Sequence, residues 1–289
     1  MTADEMVQKG LELADAQRWE EALAQFDSAI RLDPNNALAH NGRALANLGL
    51  GLTEEAIADY GRAIKADPGD ADAFFSRGRL YEDKDDLRTA IADYKAVMEL
   101  EPQSKAAYYS RARCYAKLDQ PTLAMHDYSA LMEIDRDDAG PYLRRGIMLG
   151  RQGKLQEAVK DLTAAVERDP KNAEAFYNRG VANRRLGNSH SAIRDYSRAL
   201  AIEPNHVDAL NNRANTLLAG QRFEEAVADY SAAIEAAPDH AQTYFNRAAA
   251  YQRAGESQKA AEDLKKVLAL DATPALTKRA REQLAKLRV

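Results

Sequence analysis

The chain has 289 residues, 45% of them hydrophobic, and 40 Lys and Arg against 45 Asp and Glu give a formal charge of −5. That acidic balance argues against a general nucleic-acid binder, which needs a net basic surface to displace counterions; the single cysteine, Cys114, excludes an internal disulfide, and no Cys/His cluster is present to hold zinc. The N-terminus lacks a basic start and an apolar run, and no stretch of about 18 apolar residues occurs, so no membrane span is read and a reducing, cytoplasmic setting is expected, a trimmed secretion signal aside.

Taken along the chain, the predicted elements are all helices. A short amphipathic helix opens at Ala3, a second follows it and stops at Asp33-Pro34, and the pair begins again at Ala37, Ala71, Lys105, Ala139, Ala173, Val207 and Ala241. This divides the chain into eight hairpins, 3–36, 37–70, 71–104, 105–138, 139–172, 173–206, 207–240 and 241–274. The acid-Pro stop recurs at Asp67-Pro68, Glu101-Pro102, Asp169-Pro170 and Glu203-Pro204, with Ala237-Pro238 in the same series. After each stop, Asn36, Asp70, Ser104, Asp138 and Asn172 stand where a side-chain oxygen can cap the next helix. The fourth unit departs: Arg136 replaces the proline and Gly140-Pro141 opens the following helix, which reads as a boundary adjustment, with a functional hinge as the alternative. Beyond the hairpins, Thr273-Pro274 reads as an N-cap and first helical residue, opening a last helix within 275–289. Leu276, Ala280, Leu284 and Leu287 share one of its faces, and Lys278, Arg279, Arg281, Glu282 and Lys286 the other, as a polar cap requires.

Three slots recur in this register. Alanine fills one without exception, at Ala22, Ala56, Ala90, Ala124, Ala158, Ala192, Ala226 and Ala260. A small residue fills the second, at Gly10, Ala44, Gly78, Ala112, Gly146, Gly180, Ala214 and Ala248. The third is aromatic at Phe26, Tyr60, Tyr94, Tyr128, Tyr196 and Tyr230, with Leu162 and Leu264 in the remaining places. Small residues let helices approach closely and the large ring fills the gap between hairpins. The 34-residue pattern resembles the tetratricopeptide repeat family over residues 3 to 274. The resemblance implies an all-α, right-handed superhelical solenoid, and ligands held on the wall lined by the first helix of each repeat.

One departure from the family pattern is systematic. Where leucine is usual stand Arg43, Arg77, Arg111, Arg145, Arg179, Arg213 and Arg247, and just before the aromatic slot stand Asp59, Asp93, Asp127, Asp161, Asp195, Asp229 and Asp263. The first repeat, with Lys9 and Gln25, has neither. The matched occurrence predicts a ladder of charge-assisted pairs, within a hairpin or between neighbours; arginines facing a ligand are the alternative.

Projected onto the first helices, Val7, Leu11, Leu38, Leu45 and Leu48 form an apolar wall in repeats one and two. Further on come Arg113, Lys117, Arg144, Arg151, Arg184 and Arg185, opposed only by Glu174. Phe75, Tyr109, Tyr177 and Phe245 recur on the same helices, and Asn178, Asn212 and Asn246 form a row resembling the asparagines by which family members grip peptide backbone. Apolar bodies beside guanidinium groups suit an extended acidic or mixed peptide. Val7, Asn41, Phe75 and Tyr109 occupy the first-lysine slot of the family's carboxylate clamp, so chaperone-tail binding is not expected.

No catalytic chemistry is read. His206 and His240 share a slot without a third ligand, Cys114 sits among small residues, and Gly49-Leu50-Gly51 lacks the strand of a phosphate loop. Glu54-Glu55, Asp85-Asp86 and Glu224-Glu225 lie in turns or at helix starts, where negative charge complements the helix dipole. The expectation is a cofactor-free adaptor that binds a protein or peptide, with no nucleic acid or membrane. The alternatives are self-association through repeats one and two, RNA binding by the basic central stretch, and service as the recognition arm of a larger enzyme.

Overall fold

The computed structural model describes residues 1–270 and 272–287; residues 271, 288 and 289, two of them in the expected C-terminal cap, lie outside the described residues. Among the described residues there are seventeen helices and no strand. The chain falls into two compact units, residues 1–136 and 137–289, divided where Arg136 stands in place of the proline.

The first unit holds α1 (Ala3–Asp15), α2 (Trp19–Leu32), α3 (Ala37–Gly49), α4 (Thr53–Ala66), α5 (Ala71–Asp83), α6 (Leu87–Leu100), α7 (Lys105–Lys117) and α8 (Pro121–Ile134). The second holds α9 (Ala139–Arg151), α10 (Leu155–Arg168), α11 (Ala173–Arg185), α12 (Ser189–Ile202), α13 (Val207–Ala219), α14 (Phe223–Ala236), α15 (Ala241–Arg253), α16 (Ser257–Ala269) and α17 (Pro274–Lys286). Within each unit every helix packs on the next, the sequential packing of an α-solenoid.

Local sequence sets the ends. Thr2 and Glu5 form a reciprocal capping box on α1, and Asn36, Asp70 and Asn172 accept the N3 amide at 2.9 Å. Ser104 is a correction, because its side chain makes no cap bond. His206 fills the same slot in α13, its Nδ1 accepting from the Ala209 amide. Inside each hairpin the first helix closes on a left-handed residue: Gln17, Gly51, Asp85, Asp119, Gly153, Gly187, Gln221 and Gly255, with φ from 55° to 84°. The amide after it reaches back across the turn, as from Arg18 to the Leu13 carbonyl at 2.8 Å, a Schellman closure.

The recurring slots make the core. All eight alanines are fully buried, and the aromatic-slot side chains are at most 7% exposed. At Gly42 a Cβ would lie 2.3 Å from the Phe26 ring, so the ring of one hairpin is seated on the backbone of the next. In the second unit a Cβ at Gly180 would lie 2.7 Å from Tyr196.

All seven Arg–Asp pairs form, each inside its own hairpin. Nε and Nη2 donate to the two carboxylate oxygens, as in Arg77–Asp93 at 2.9 and 2.7 Å and Arg247–Asp263 at 2.8 and 2.8 Å. Each aspartate is buried. The third nitrogen reaches back to the preceding hairpin: Arg43 Nη1 to Asp27 in the first unit, and Arg179, Arg213 and Arg247 to Thr163, Ser197 and Ser231 in the second. One guanidinium thus fixes a helix crossing within its repeat and the seat of that repeat on its neighbour. The fork engages both carboxylate oxygens of each buried aspartate, so the ladder joins the two helices of a hairpin as a structural pair.

Candidate functional site

In the first unit the predicted cluster of Phe75, Tyr109, Arg113 and Lys117 lies on α5 and α7. The two rings pack edgewise or tilted on the aromatic slot of their own repeat, Phe75 on Tyr94 at 5.6 Å and Tyr109 on Tyr128 at 6.2 Å. Arg113 and Lys117 do not form an open basic stripe. Glu82, buried on the last turn of α5, accepts from Arg113 Nε and Nη2 at 2.5 and 2.7 Å and from the Tyr94 hydroxyl at 3.0 Å, with Lys117 Nζ at 3.6 Å. Burial pushes the Glu82 carboxyl up, but Arg113, Tyr94 and Lys117 outweigh it and hold the group below the ordinary carboxylate range. Cys114 lies in the same cluster; burial pushes its thiol up to about 11, leaving it protonated and inert. Glu174 is therefore not the only acid opposing the predicted cations.

The second unit carries the rest. Arg144 pairs with Glu174 at 3.1 Å on the surface. Arg151 and Arg185 flank a cleft of about 130 Å³ between α9 and α11, floored by Ile147, Leu162 and Val181 and edged by Asn178. Arg185 is anchored there, its Nη1 donating to the Gly150 carbonyl at 2.6 Å, while Arg151 is exposed. Arg184, also exposed, lies beside the buried Tyr196 hydroxyl. Three of the predicted residues, Arg151, Asn178 and Arg185, thus meet at one concave feature.

The asparagine row is not uniform. Asn178 donates to the Glu174 carbonyl at 2.8 Å, Asn212 to the Tyr177 hydroxyl at 3.1 Å, and Asn246 accepts from Gln242 at 2.8 Å. Tyr177 itself is sandwiched, its ring 6.1 Å from Tyr196 and 4.8 Å from His206. Phe245 needs correction: it is 3% exposed, packed in the cluster that α17 completes through Leu276 and Ala280, with the Arg279 guanidinium 4.6 Å above its ring. The terminal helix covers it and leaves nothing for a ligand to touch.

The apolar wall of the first two repeats is real but narrower than expected. Val7 is buried in the core of the first hairpin, whereas Leu11, Leu38 and Leu45 are 37%, 66% and 42% exposed. They flank a cleft of about 300 Å³ shared with Asn41, Tyr60 and Asp72. Sequence reasoning missed Asn41 and Asp72 as parts of a site, since Asn returns in its slot only at Asn211 and Asp only at Asp4 and Asp208, too sparsely to read as a row. Among the described residues no group of three His, Cys, Asp or Glu is placed to hold a metal, and no helix is long and apolar enough to cross a membrane.

Profiles of the tetratricopeptide repeat family match residues 7–71, 75–139, 143–207 and 206–273. The chain belongs to the tetratricopeptide repeat family. A search of curated proteins finds no match. Among solved structures this tetratricopeptide protein is similar to YrrB, described as a tetratricopeptide protein with an unusual peptide-binding site, at 28% identity over 64% of this chain and 95% of that one, TM-score 0.56. It also shares its fold with PilF of Pseudomonas aeruginosa (18% identity, 74% and 97% covered, TM-score 0.62). The Cut9–Hcn1 assembly matches 98% of this chain with 55% of its own, at 16% identity and TM-score 0.57. Tetratricopeptide arrays are in general non-catalytic scaffolds for protein partners.

Proposed function

We propose that this protein is a non-catalytic cytoplasmic adaptor whose second unit captures an acidic peptide carrying an aliphatic anchor. The observation that carries the reading is the α9/α11 cleft, where an apolar floor of Ile147, Leu162 and Val181 lies between Arg151 and Arg185. An aliphatic side chain fills the floor while a neighbouring carboxylate takes the guanidinium groups, a pairing of anchor and charge that gives affinity and orientation together. Asn178 edges the same cleft, and because its Nδ2 is the atom that bonds the Glu174 carbonyl, its Oδ1 serves as an acceptor for a peptide amide. The likeness to YrrB, whose peptide-binding site is named in its description, supports a peptide as the ligand class. The placement in the cytoplasm rests on the lone buried thiol.

The test is fluorescence anisotropy with a labelled peptide of leucine and glutamate. The wild-type chain binds it, and Arg151→Glu with Arg185→Glu weakens binding by about a hundredfold, the loss of two charge-assisted contacts. Unchanged affinity in the double variant, with an unchanged melting curve, overturns the proposal.

A further inference from the structure

The cleft in the first unit has a chemistry opposite to that of the second. Its walls are the exposed Leu11, Leu38 and Leu45, and its one charged lining group is the Asp72 carboxylate. Asn41 spends its amide nitrogen on the Asp70 carboxylate, which fixes the orientation of the side chain and leaves Oδ1 shielded from water without a hydrogen-bond partner. A buried acceptor in that condition carries an unmet desolvation cost that a donor from a ligand removes. Asp72, across the cleft on the first turn of α5, is exposed and makes no ion pair among the described residues. Tyr60 and Ser76 line the same cleft with hydroxyls, which carry no charge and can donate or accept.

The surroundings carry the same sign. Asp4 and Asp15 stand seven residues before and four after Leu11, on its face of α1. Arg79 on α5, in the register of Leu11 and Leu45, is the opposing charge. Over the whole unit, residues 1–136 hold 25 Asp and Glu against 16 Lys and Arg, a net charge of −9.

From the three leucines, the idle acceptor and the unpaired carboxylate we infer that the first unit is a second recognition site, for a partner segment that presents aliphatic side chains flanked by lysine or arginine. The aliphatic groups cover Leu11, Leu38 and Leu45, the cation meets Asp72, and an N–H reaches Asn41 Oδ1. This site is separate from the acidic-peptide cleft of the second unit and stands on its own observations. The protein then joins two partners of opposite charge, one on each unit.

The probe is a labelled amphipathic peptide of leucine and lysine, with its glutamate counterpart as control, titrated against the full chain. The expected result is at least about tenfold preference for the lysine peptide, lost or reversed in Asp72→Lys, reduced in Leu38→Ser and in Leu45→Ser, and unaffected by Arg151→Glu with Arg185→Glu. Leu38 and Leu45 are exposed, so their variants keep the wild-type melting curve; Asp72→Lys puts a cation in the first turn of α5, at a small cost in stability that leaves the chain folded, and Asp72→Asn, which removes only the charge, gives an intermediate loss of binding. Equal binding of both peptides, or full binding by Asp72→Lys, overturns the inference. So does loss of lysine-peptide binding in the Arg151 and Arg185 variant, which would put that peptide in the other cleft. Sedimentation equilibrium adds a final check: a dimer abolished by Leu38→Ser would assign the leucines to a second copy of the chain and overturn it as well.

Discussion

The two units are built alike inside and unlike outside. Ala90 and Ala192, Tyr94 and Tyr196, and the forks Arg77–Asp93 and Arg179–Asp195 are the same contacts in two places. Their surfaces diverge: residues 1–136 carry a net charge of −9, whereas residues 137–289, with 24 Lys and Arg against 20 Asp and Glu, carry +4. The cleft of the first unit offers leucines and acceptors, that of the second an apolar floor between guanidinium groups. Positions required by the hairpin repeat every 34 residues, so the differences between the two surfaces lie in the positions that the hairpin does not need.

The largest effect tests whether the interiors are equivalent. Asp93→Ala in the first unit and Asp195→Ala in the second each strand a half-buried guanidinium, and each lowers stability by about 3–5 kcal/mol in urea melts followed by circular dichroism. Asp195 also accepts from Asn183 at 3.0 Å, which places its loss at the upper end. A large effect in one unit with a negligible one in the other would break the comparison at its root.

Glu82 tests the other side, where a surface charge has been drawn into one interior only. Glu82→Ala removes the acceptor of Arg113 and Tyr94 and costs about 1.5–3 kcal/mol at neutral pH. Because the folded carboxyl is held below its unfolded value, its contribution is complete above the unfolded pKa and is lost as pH falls through the folded one. The difference between wild type and Glu82→Ala therefore shrinks on acidification, read from melts at neutral and acid pH. The corresponding residue of the second unit's sixth repeat is Arg184, and its replacement by alanine gives no such acid dependence.

What the sequence disclosed follows from the same division. The ladder was legible because Arg and Asp recur together in seven repeats and are both missing from the first, and only a direct pair explains that coincidence. The C-terminal helix was legible from Thr273-Pro274 and the spacing of its apolar face. Glu82 was not, since its slot holds Ala14, Leu48, Ala116, Gly150, Arg184, Leu218 and Gln252 elsewhere, and a single acid reads as surface until α7 is seen against it. Phe245 was misjudged because projection onto one helix does not reveal that α17 lies over it. The left-handed turn residue escaped notice although it recurs every 34 positions, because its identity alternates among glycine, aspartate and glutamine.

That turn supplies the smallest effect and the finest comparison. Gln17 in the first unit and Gln221 in the second hold φ of 57° and 60°, where a Cβ costs about 1–2 kcal/mol. Glycine removes that strain but loses about 0.5–1 kcal/mol of chain entropy on folding, so Gln17→Gly and Gln221→Gly each gain about 0.5–1 kcal/mol. Asp85→Gly and Asp119→Gly gain less, because aspartate tolerates this region through local hydrogen bonds. Neither glutamine touches a candidate cleft, so both gains appear in urea midpoints while peptide affinity stays constant. Equal gains at 17 and 221 mean that the closing turn obeys one rule in both units; a gain at one alone means that the repeat's backbone, and not only its surface, differs between them.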